Sequence, residues 1–306
     1  MSSIQIQMFT DTHRFFAGKQ FLVLGCGYIG SAVAKQALTK GLVVTALTRN
    51  PAKAAVLGES GIQVIEADLA GSDWHAQVPD KVEFVLNCVS SGGGGIDGYR
   101  HSYLAGMQSV LAWAQQARIG TFVYTGSTSV YPQDDGVTVD ETAVTDTVNE
   151  RAKLLVETEN LVRSSTSLGR WFILRLAGIY GPGRHHVLDQ LRAGLPLVGS
   201  GAHRLNLAHR DDICAAIWSA FSAPDQLANQ IFNVVDDAPV PKAELVNWLA
   251  EQLGLPLPRF DVSAQPSRRP VPPDRLVLNT KLKLLLGWQP AFPDFRAGYI
   301  DLLKSL

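Results

Sequence analysis

The stretch FLVLGCGYIGSAVAKQAL, residues 21–38, joins an apolar run to a helical pattern through three glycines. Gly25, Gly27 and Gly30 form the pattern G-x-G-x-x-G directly after a predicted strand and at the start of a predicted helix. In a βαβ unit the first glycine allows the tight turn, the second lets a pyrophosphate approach the backbone, and the third lets the helix pack on the strand. The anion then lies at the helix N-terminus. We therefore predict a dinucleotide site here, against the alternative of a turn with incidental glycines.

The sequence around this turn alternates short β-rich runs with longer helical patterns. The runs are apolar throughout, as strands covered by helices on both faces must be. This alternation predicts an α/β fold with a doubly wound, parallel, Rossmann-type sheet and a smaller, interleaved C-terminal substrate region. The predicted strands are FLVLG, LVVTALT, IQVIEAD, VEFVLNCV, TFVYTGS, WFILRLAG and QIFNVVD, and the predicted helices include GSAVAKQALTK, YLAGMQSVLAWAQQA, RAKLLVETENLVR and PKAELVNWLAEQLG.

The composition changes near Gly181, where the segment GPGRHHVLDQLRAGLPLVGSGAHR is richer in glycine, proline and basic residues. We therefore predict a loosely ordered leader over residues 1–18, a dinucleotide-binding domain over 19–180 and a smaller substrate-side region over 181–306. A strand over 231–235 is predicted to return to the main sheet. Proline predicts an irregular segment over 263–275.

Composition narrows the classes of partner. Of the 306 residues, 46% are hydrophobic, and the formal net charge is -1. A nearly neutral chain gives no electrostatic reason to expect nucleic acid or an anionic membrane as a partner, and no apolar run reaches the ~18 residues of a membrane-spanning helix. Cys26, Cys88 and Cys214 lie far apart in sequence, so neither a disulfide framework nor a zinc site is indicated. We expect a cytoplasmic protein with a small-molecule substrate and no metal, and we leave a homodimer open.

The end of the second predicted strand indicates which dinucleotide is bound. An NAD site usually places Asp or Glu there for the ribose 2′-OH, but this strand ends in LTRN, residues 47–50. Arg49, with Lys53 close in sequence, could pair with a 2′-phosphate, which favours NADP(H) and leaves NAD(H) as the alternative. Arg49 could equally be a solvated loop residue. Asp68, at the end of VIEAD, is the candidate for a hydrogen bond to adenine, or else it caps the next turn.

Further motifs extend the pattern over nearly the whole chain from Gly25 onward. They are GCGYIG, VYTGSTSVYP, LRLAGIYGPGR, LNLAHRDDICAAI and LGWQP. Together they resemble the short-chain dehydrogenase/reductase superfamily, in particular its extended and atypical branch of NAD(P)-dependent epimerase/dehydratase-like proteins. The resemblance implies a Rossmann-type sheet, a bound nicotinamide dinucleotide and often a nucleotide-sugar or other hydroxyl/keto substrate.

The resemblance also implies a catalytic set. In that family a serine orients the substrate oxygen, a tyrosinate exchanges its proton, and a lysine four residues later lowers the tyrosine pKa and holds the nicotinamide ribose. A phenol with a pKa of about 10 needs such a cation to act as a base near neutral pH. Ser127 and Lys153 match the serine and lysine positions, whereas Asn149 occupies the tyrosine position. An amide does not exchange protons near neutral pH, so the standard mechanism is incomplete here.

Other tyrosines are candidates for the missing acid. Tyr131 and Tyr180, with Tyr103 as a further candidate, lie in or near segments expected to border the nicotinamide. Each of them could instead be a packing residue. Ser127 could merely satisfy backbone groups at a strand end, and Lys153 could be a surface cation paired within its helix at i+4.

Basic residues after Gly181 are candidates for an anionic substrate: Arg184, His185, His186 and His209, the last of which could instead start a helix. The run SSGGGG, residues 90–95, is either a mobile loop over the cofactor or a plain connector. These patterns predict an NAD(P)-dependent oxidoreductase or epimerase/dehydratase-like enzyme, or alternatively a non-catalytic NADP(H)-binding sensor. The predicted cofactor contacts are Gly25, Gly27, Tyr28, Ile29, Gly30, Arg49, Asp68, Leu69, Val89, Ser90 and Lys153.

Overall fold

The computed structural model describes residues 14–263 and 273–304. Residues 1–13 of the predicted leader and most of the predicted irregular segment lie outside the described residues. Those that are described divide into two compact units. The first unit comprises residues 14–126, Thr147–Leu174 and Ala220–Ile231, and the second comprises Ser127–Asp146, Arg175–Ser219, 232–263 and 273–304. The two units therefore alternate along the chain several times.

The main sheet contains most of the longer strands, and short strand pairs make up the remainder. In chain order the strands are β1 (Gln20–Leu24), β2 (Val43–Thr48), β3 (Gln63–Glu66), β4 (Lys81–Asn87), β5 (Arg118–Ser127), β6 (Val137–Val139), β7 (Trp171–Leu176), β8 (Gly178–Tyr180), β9 (Leu197–Val198), β10 (Arg204–Leu205), β11 (Leu207–His209), β12 (Gln230–Val234), β13 (Val240–Pro241), β14 (Phe260–Asp261) and β15 (Arg275–Val277). Among the described residues the main sheet has seven strands, in the order β12-β7-β5-β4-β1-β2-β3. β1 pairs in parallel with β2 and β4, β2 with β3, and β4 with β5. The predicted doubly wound α/β fold class is confirmed.

Helices connect the strands, and local sequence signals set several of their ends. In chain order they are α1 (Tyr28–Thr39), α2 (Pro51–Glu59), α3 (Gly95–Tyr99), a π-helical turn (Arg100–Ala105), α4 (Gly106–Ala114), α5 (Glu150–Ser164), α6 (His186–Arg192), α7 (Arg210–Phe221), α8 (Lys242–Leu253), α9 (Thr280–Leu286) and α10 (Phe295–Lys304), with short 3₁₀ turns at His75–Gln77 and Thr128–Val130. α2 begins where Asn50 Oδ1 accepts the Lys53 backbone N–H at 3.0 Å. α8 ends at Gly254, whose left-handed backbone suits a glycine. Within the described part of the chain, no helix has the length and apolar character of a membrane span.

The core of the first unit lies along the main sheet. Leu24 of β1, Phe122 of β5 and Ile173 of β7 are fully buried members of this core. The indole rings of Trp74 and Trp113 pack against each other with centroids 5.5 Å apart. Burying a side chain such as Leu24, Phe122 or Ile173 contributes about 1.5–3 kcal/mol relative to leaving it in water. This packing fixes the carboxyl ends of β1, β2 and β4, from which the candidate cofactor residues extend.

The second unit combines short strand pairs with its own helical core. β8 pairs in parallel with β11, β6 with β15, and β9 with β14, whereas β10 and β13 are antiparallel. Most buried side chains of this core come from α6, α8 and α10, and β8, β9 and β13 contribute the others. They include Leu188, Leu245, Leu249, Phe295 and Tyr299.

Candidate functional site

The three glycines of the turn after β1 differ in what surrounds them. Gly25 has φ +86°, and a Cβ built there would lie 2.6 Å from Val89 Cα. A Cβ at Gly30 would lie 2.6 Å from the Gly25 carbonyl oxygen and 2.8 Å from Cys88 Sγ. A Cβ at Gly27 would meet nothing nearer than the Gly25 oxygen at 4.0 Å. The protein itself therefore fills the space beside the first and third glycines and leaves the space beside the second open.

This open position lies at the start of α1. Gly27 is the N-cap residue of α1, and no side chain caps the helix there. The start of a twelve-residue helix presents N–H groups and the positive end of the helix dipole to an anion. A backbone without side chains at the turn, open space at Gly27 and an uncapped helix start are the features that fit a pyrophosphate.

The residues that follow β4, the strand beside β1, lie next to the glycine turn. Cys88, directly after β4, donates its thiol to the Gly25 carbonyl oxygen at 3.2 Å. Val89 packs beside the glycine turn, and Ser90 is exposed. Both predicted contacts therefore follow β4 on the side of the sheet where the glycine turn follows β1.

Three polar side chains meet near the ends of β2 and β3, two of them from those strand ends and the third, His101, from the π-helical turn. Arg49 Nη1 lies 3.4 Å from Asp68 Oδ2, and His101 Nε2 lies 2.9 Å from the same oxygen. Burial alone would raise the pKa of Asp68, but hydrogen bonds from His101, Ala70 and Arg49 outweigh it, and the net shift is downward. Asp68 is thus held as a carboxylate between two basic side chains. The sequence analysis names Arg49 and Asp68 as candidates but does not name His101.

The remaining predicted cofactor residues of the first unit divide between core and surface. Ile29 and Leu69 are buried apolar side chains, so they would offer a ligand their backbone more readily than their side chain. Tyr28 is half-buried at the start of α1. Lys53 is exposed on α2.

Asn149, at the family's tyrosine position, is the N-cap of α5. Its Oδ1 accepts the Ala152 backbone N–H at 3.1 Å, which is the standard capping contact of an asparagine. Lys153, one turn into α5, is exposed, and among the described residues no ion pair joins it to Glu157. The side-chain amide at position 149 therefore has a local structural role that explains its presence without catalysis.

Ser127, at the end of β5, also bonds locally. Its Oγ accepts the Ser129 backbone N–H at 3.1 Å and lies 2.8 Å from Ser129 Oγ. It belongs to the second unit, whereas Asn149 and Lys153 belong to the first. The contacts of Ser127 correspond to the alternative in which it satisfies backbone groups at a strand end.

Tyr131, in the second unit, has a fully engaged hydroxyl. The side chain is 1% exposed. Its Oη accepts from Arg175 Nη1 at 2.8 Å and donates to Asn233 Oδ1 at 2.8 Å. Burial raises the pKa of Tyr131, and Arg175 opposes that shift. These contacts correspond to a packing and hydrogen-bonding residue.

Tyr180 is buried among aromatic rings in the second unit. It stacks on Tyr299 with centroids 5.2 Å apart, and its hydroxyl packs so closely on Gly298 that a Cβ there would overlap it. Burial, followed by the negative charge of Asp236, raises the pKa of Tyr180 far above its ordinary value. A phenol with such a raised pKa is a poor proton donor at neutral pH. Tyr103, in the first unit, is half-buried and packs against the core beside Tyr99.

The candidate substrate residues occupy the second unit. His185 lies at the start of α6, with its Nδ1 2.9 Å from Asp189 Oδ1. Arg184 and Gly181 form an isolated antiparallel β-bridge, in which each backbone N–H donates to the other's carbonyl oxygen. His186 is the first residue of α6. His209 is 1% exposed, and its Nδ1 accepts the Asp211 backbone N–H at 3.3 Å, as expected if it helps to start α7. Burial lowers the pKa of His209.

Comparison with known proteins adds to this geometry. Residues 21–234 match the model of the NAD dependent epimerase/dehydratase family. The chain is 29% identical to Protein YeeZ of Escherichia coli (strain K12) over 283 residues, which cover 90% of this chain and 97% of that protein. It is 32% identical over 159 residues to the 3-diazoavenalumate denitrifying reductase of Streptomyces sp, covering 48% of this chain and 51% of the reductase. The solved UDP-glucuronic acid 4-epimerase of Bacillus cereus, in complex with UDP-glucuronic acid and NAD, has a similar fold, with a TM-score of 0.77, 19% identity and coverage of 94% and 100%.

Proposed function

We propose, from the premise that the chain belongs to the NAD dependent epimerase/dehydratase family, that it binds NADP(H) in preference to NAD(H) and acts on a small hydroxyl/keto or nucleotide-sugar substrate as an oxidoreductase or epimerase. The glycine turn carries this proposal. Gly25 and Gly30 are closed in by the protein, while Gly27 opens at an uncapped helix start. When bound, the nicotinamide would supply hydride transfer.

Different residues would hold different parts of the cofactor. The backbone at Gly27 and the start of α1 would bind the pyrophosphate. Asp68 would accept a hydrogen bond from the adenine amino group. Arg49, half-exposed at the end of a strand that offers no carboxylate, would pair with a 2′-phosphate. Since the neighbouring Bacillus structure is a complex with NAD, the preference for NADP(H) rests on Arg49 alone.

The catalytic step is proposed in outline. Ser127 would orient the reacting oxygen, and Lys153 would hold the nicotinamide ribose. Asn149 would not move the proton, because its amide caps α5 and does not ionise near neutral pH. Tyr131 and Tyr180 are the first substitutes to test, followed by Tyr103, whose half-buried side chain offers readier access than the other two.

Two observations favour a second candidate function. The capping contact of Asn149 accounts for that residue without any reaction, and Tyr131 and Tyr180 are both held in buried packing. A protein that retained the cofactor turn and lost proton transfer would bind NADP(H) as a sensor or regulatory signal. In that case substrates would cause no hydride transfer.

The test is NADPH oxidation at 340 nm with a panel of aldehydes, ketones and nucleotide sugars. An oxidoreductase oxidises NADPH with at least one member of the panel, whereas an epimerase gives no net change at 340 nm and is detected by the epimerised nucleotide sugar. Ser127→Ala should reduce the rate in either case. Ser165→Ala, a change of the same kind at the end of α5, serves as the control and should leave the rate unchanged. NADPH binding without oxidation by any member of the panel, and without a change of configuration in any nucleotide sugar incubated with the cofactor-bound protein, would favour the sensor.

A further inference from the structure

Asp68 pairs with Arg49, the side chain whose positive charge a 2′-phosphate would need. Its Oδ2 atom lies 3.4 Å from Arg49 Nη1, so the guanidinium that would recognise the phosphate already has an anionic partner. A phosphate at this position therefore competes with Asp68 for Arg49. If Asp68 had no other partner, the loss of this ion pair would oppose phosphate binding.

His101 supplies that other partner. It lies in the π-helical turn, 33 residues from Asp68 in sequence, and its Nε2 approaches the same carboxylate oxygen to 2.9 Å. This contact is shorter than the one from Arg49. The Ala70 backbone N–H donates to the other oxygen, Oδ1, at 2.9 Å. Asp68 would therefore keep two donors after Arg49 turned away.

The glycine run limits where Arg49 can go. A Cβ built at Gly92, which has φ +64°, would lie 3.0 Å from Arg49 Nη2. The guanidinium thus lies close both to the Asp68 carboxylate and to Gly92 of the glycine run. After a small movement away from Asp68, the guanidinium would still lie at the carboxyl ends of the strands, where the candidate cofactor residues lie. Arg49, Asp68 and Gly92 follow β2, β3 and β4, respectively.

We propose that His101 strengthens the preference for NADP(H) over NAD(H) by holding the Asp68 carboxylate, which makes the Arg49 guanidinium available to the 2′-phosphate. This inference rests on the NADP(H) preference proposed above and assigns His101 as a positioning residue that acts through Asp68. The 2′-OH of NAD(H) is neutral and does not need the charge of Arg49. The affinity for NAD(H) should therefore not depend on His101.

Titration of the full chain with NADPH and with NADH, in the parent, His101→Ala and His101→Gln, tests this role. His101→Ala should weaken NADPH binding by roughly two- to five-fold, the size of one half-exposed hydrogen bond to a carboxylate, and leave NADH binding unchanged. His101→Gln keeps a side-chain N–H for Asp68 and should restore most of the NADPH affinity. A merely structural role would not alter the ratio of the two dissociation constants.

Two results would overturn the role of His101 while leaving the proposed function intact. In both, the parent prefers NADPH, and His101→Ala either weakens NADPH and NADH equally or changes neither. A parent that binds both cofactors equally would instead contradict the NADP(H) preference, and the inference about His101 would fail with it. The ratio in the parent therefore tests the proposed function, and the change in that ratio tests His101.

Discussion

The family's motifs assign cofactor binding to the glycine turn after β1 and proton transfer to the start of α5. The two regions differ in how well the residues of this chain match those roles. At the turn, the protein fills the space beside Gly25 and Gly30 and leaves the space beside Gly27 open, which is the arrangement that the glycine pattern predicts. At the start of α5, an asparagine that caps the helix stands where a proton-transferring tyrosine is expected. Cofactor binding depends on backbone shape, whereas proton transfer depends on one ionisable group. A chain can therefore retain the first while changing the second.

The strongest way to break this comparison is Gly27→Val. The added side chain would occupy the open space beside the turn, so NADPH affinity should fall by about 100-fold or more while the fold is retained. Gly169→Val is the matched control, because a Cβ at Gly169 likewise has open space around it, with no heavy atom within 4 Å, and Gly169 lies away from the turn, just before β7. Calorimetric titration measures both. Unchanged affinity in a folded Gly27→Val protein would remove the cofactor assignment.

Arg49→Ala sharpens the cofactor half of the comparison. Loss of a charge-assisted contact to the 2′-phosphate should cost about 1.5 kcal/mol, or roughly ten-fold in NADPH affinity, with NADH affinity little changed. Lys35→Ala removes the same charge from an exposed position on α1 and serves as the control. A parent preference for NADPH that survived Arg49→Ala would show that another group recognises the phosphate.

Tyr131→Phe addresses the proton-transfer half. Without the hydroxyl, Arg175 Nη1 and Asn233 Oδ1 lose a buried partner, so the free energy of unfolding should fall by about 1–3 kcal/mol. Tyr124→Phe makes the same change at a buried tyrosine whose hydroxyl has no hydrogen-bond partner among the described residues, and it should cost less. Urea denaturation measures both variants. Full stability together with a loss of turnover in Tyr131→Phe would instead identify Tyr131 as the acid.

Asn149→Ala should have the smallest effect of the four. Losing the cap of α5 should lower the free energy of unfolding by about 1 kcal/mol, and Asn149→Asp, which can still cap, should restore it. Turnover, where it is measured, should fall only modestly, in contrast to the roughly 10²- to 10⁴-fold loss expected on removing the true acid. Activity that collapses only in Asn149→Ala would mean that the amide itself is essential.

Features that depend on local pattern could be predicted from the sequence. The apolar runs that became β1, β2, β4, β5 and β7 are long and continuous, and the spacing of the glycines is specific. The roles expected of Gly25 and Gly30 correspond to the close contacts found at those positions. Family membership likewise followed from several motifs that lie far apart in the chain.

Features that depend on pairing between distant segments could not be predicted. Strands of two or three residues, such as β9 and β14, have no periodicity of their own and are defined only by their partner. No motif in the sequence distinguishes His101 from the other histidines. Only the folded chain, in which the π-helical turn approaches Asp68, places it beside a candidate cofactor residue. α2 was also missed, although Asn50 and Pro51 form a recognisable helix start.

Calorimetric titration of the unaltered protein, with NADPH and then with NADH, is the most direct test of the central claim that the glycine turn holds a dinucleotide. The expected result is saturable binding of one NADPH per chain, with a lower dissociation constant than for NADH. The absence of binding heat with both cofactors, from a protein shown to be folded, would contradict the claim.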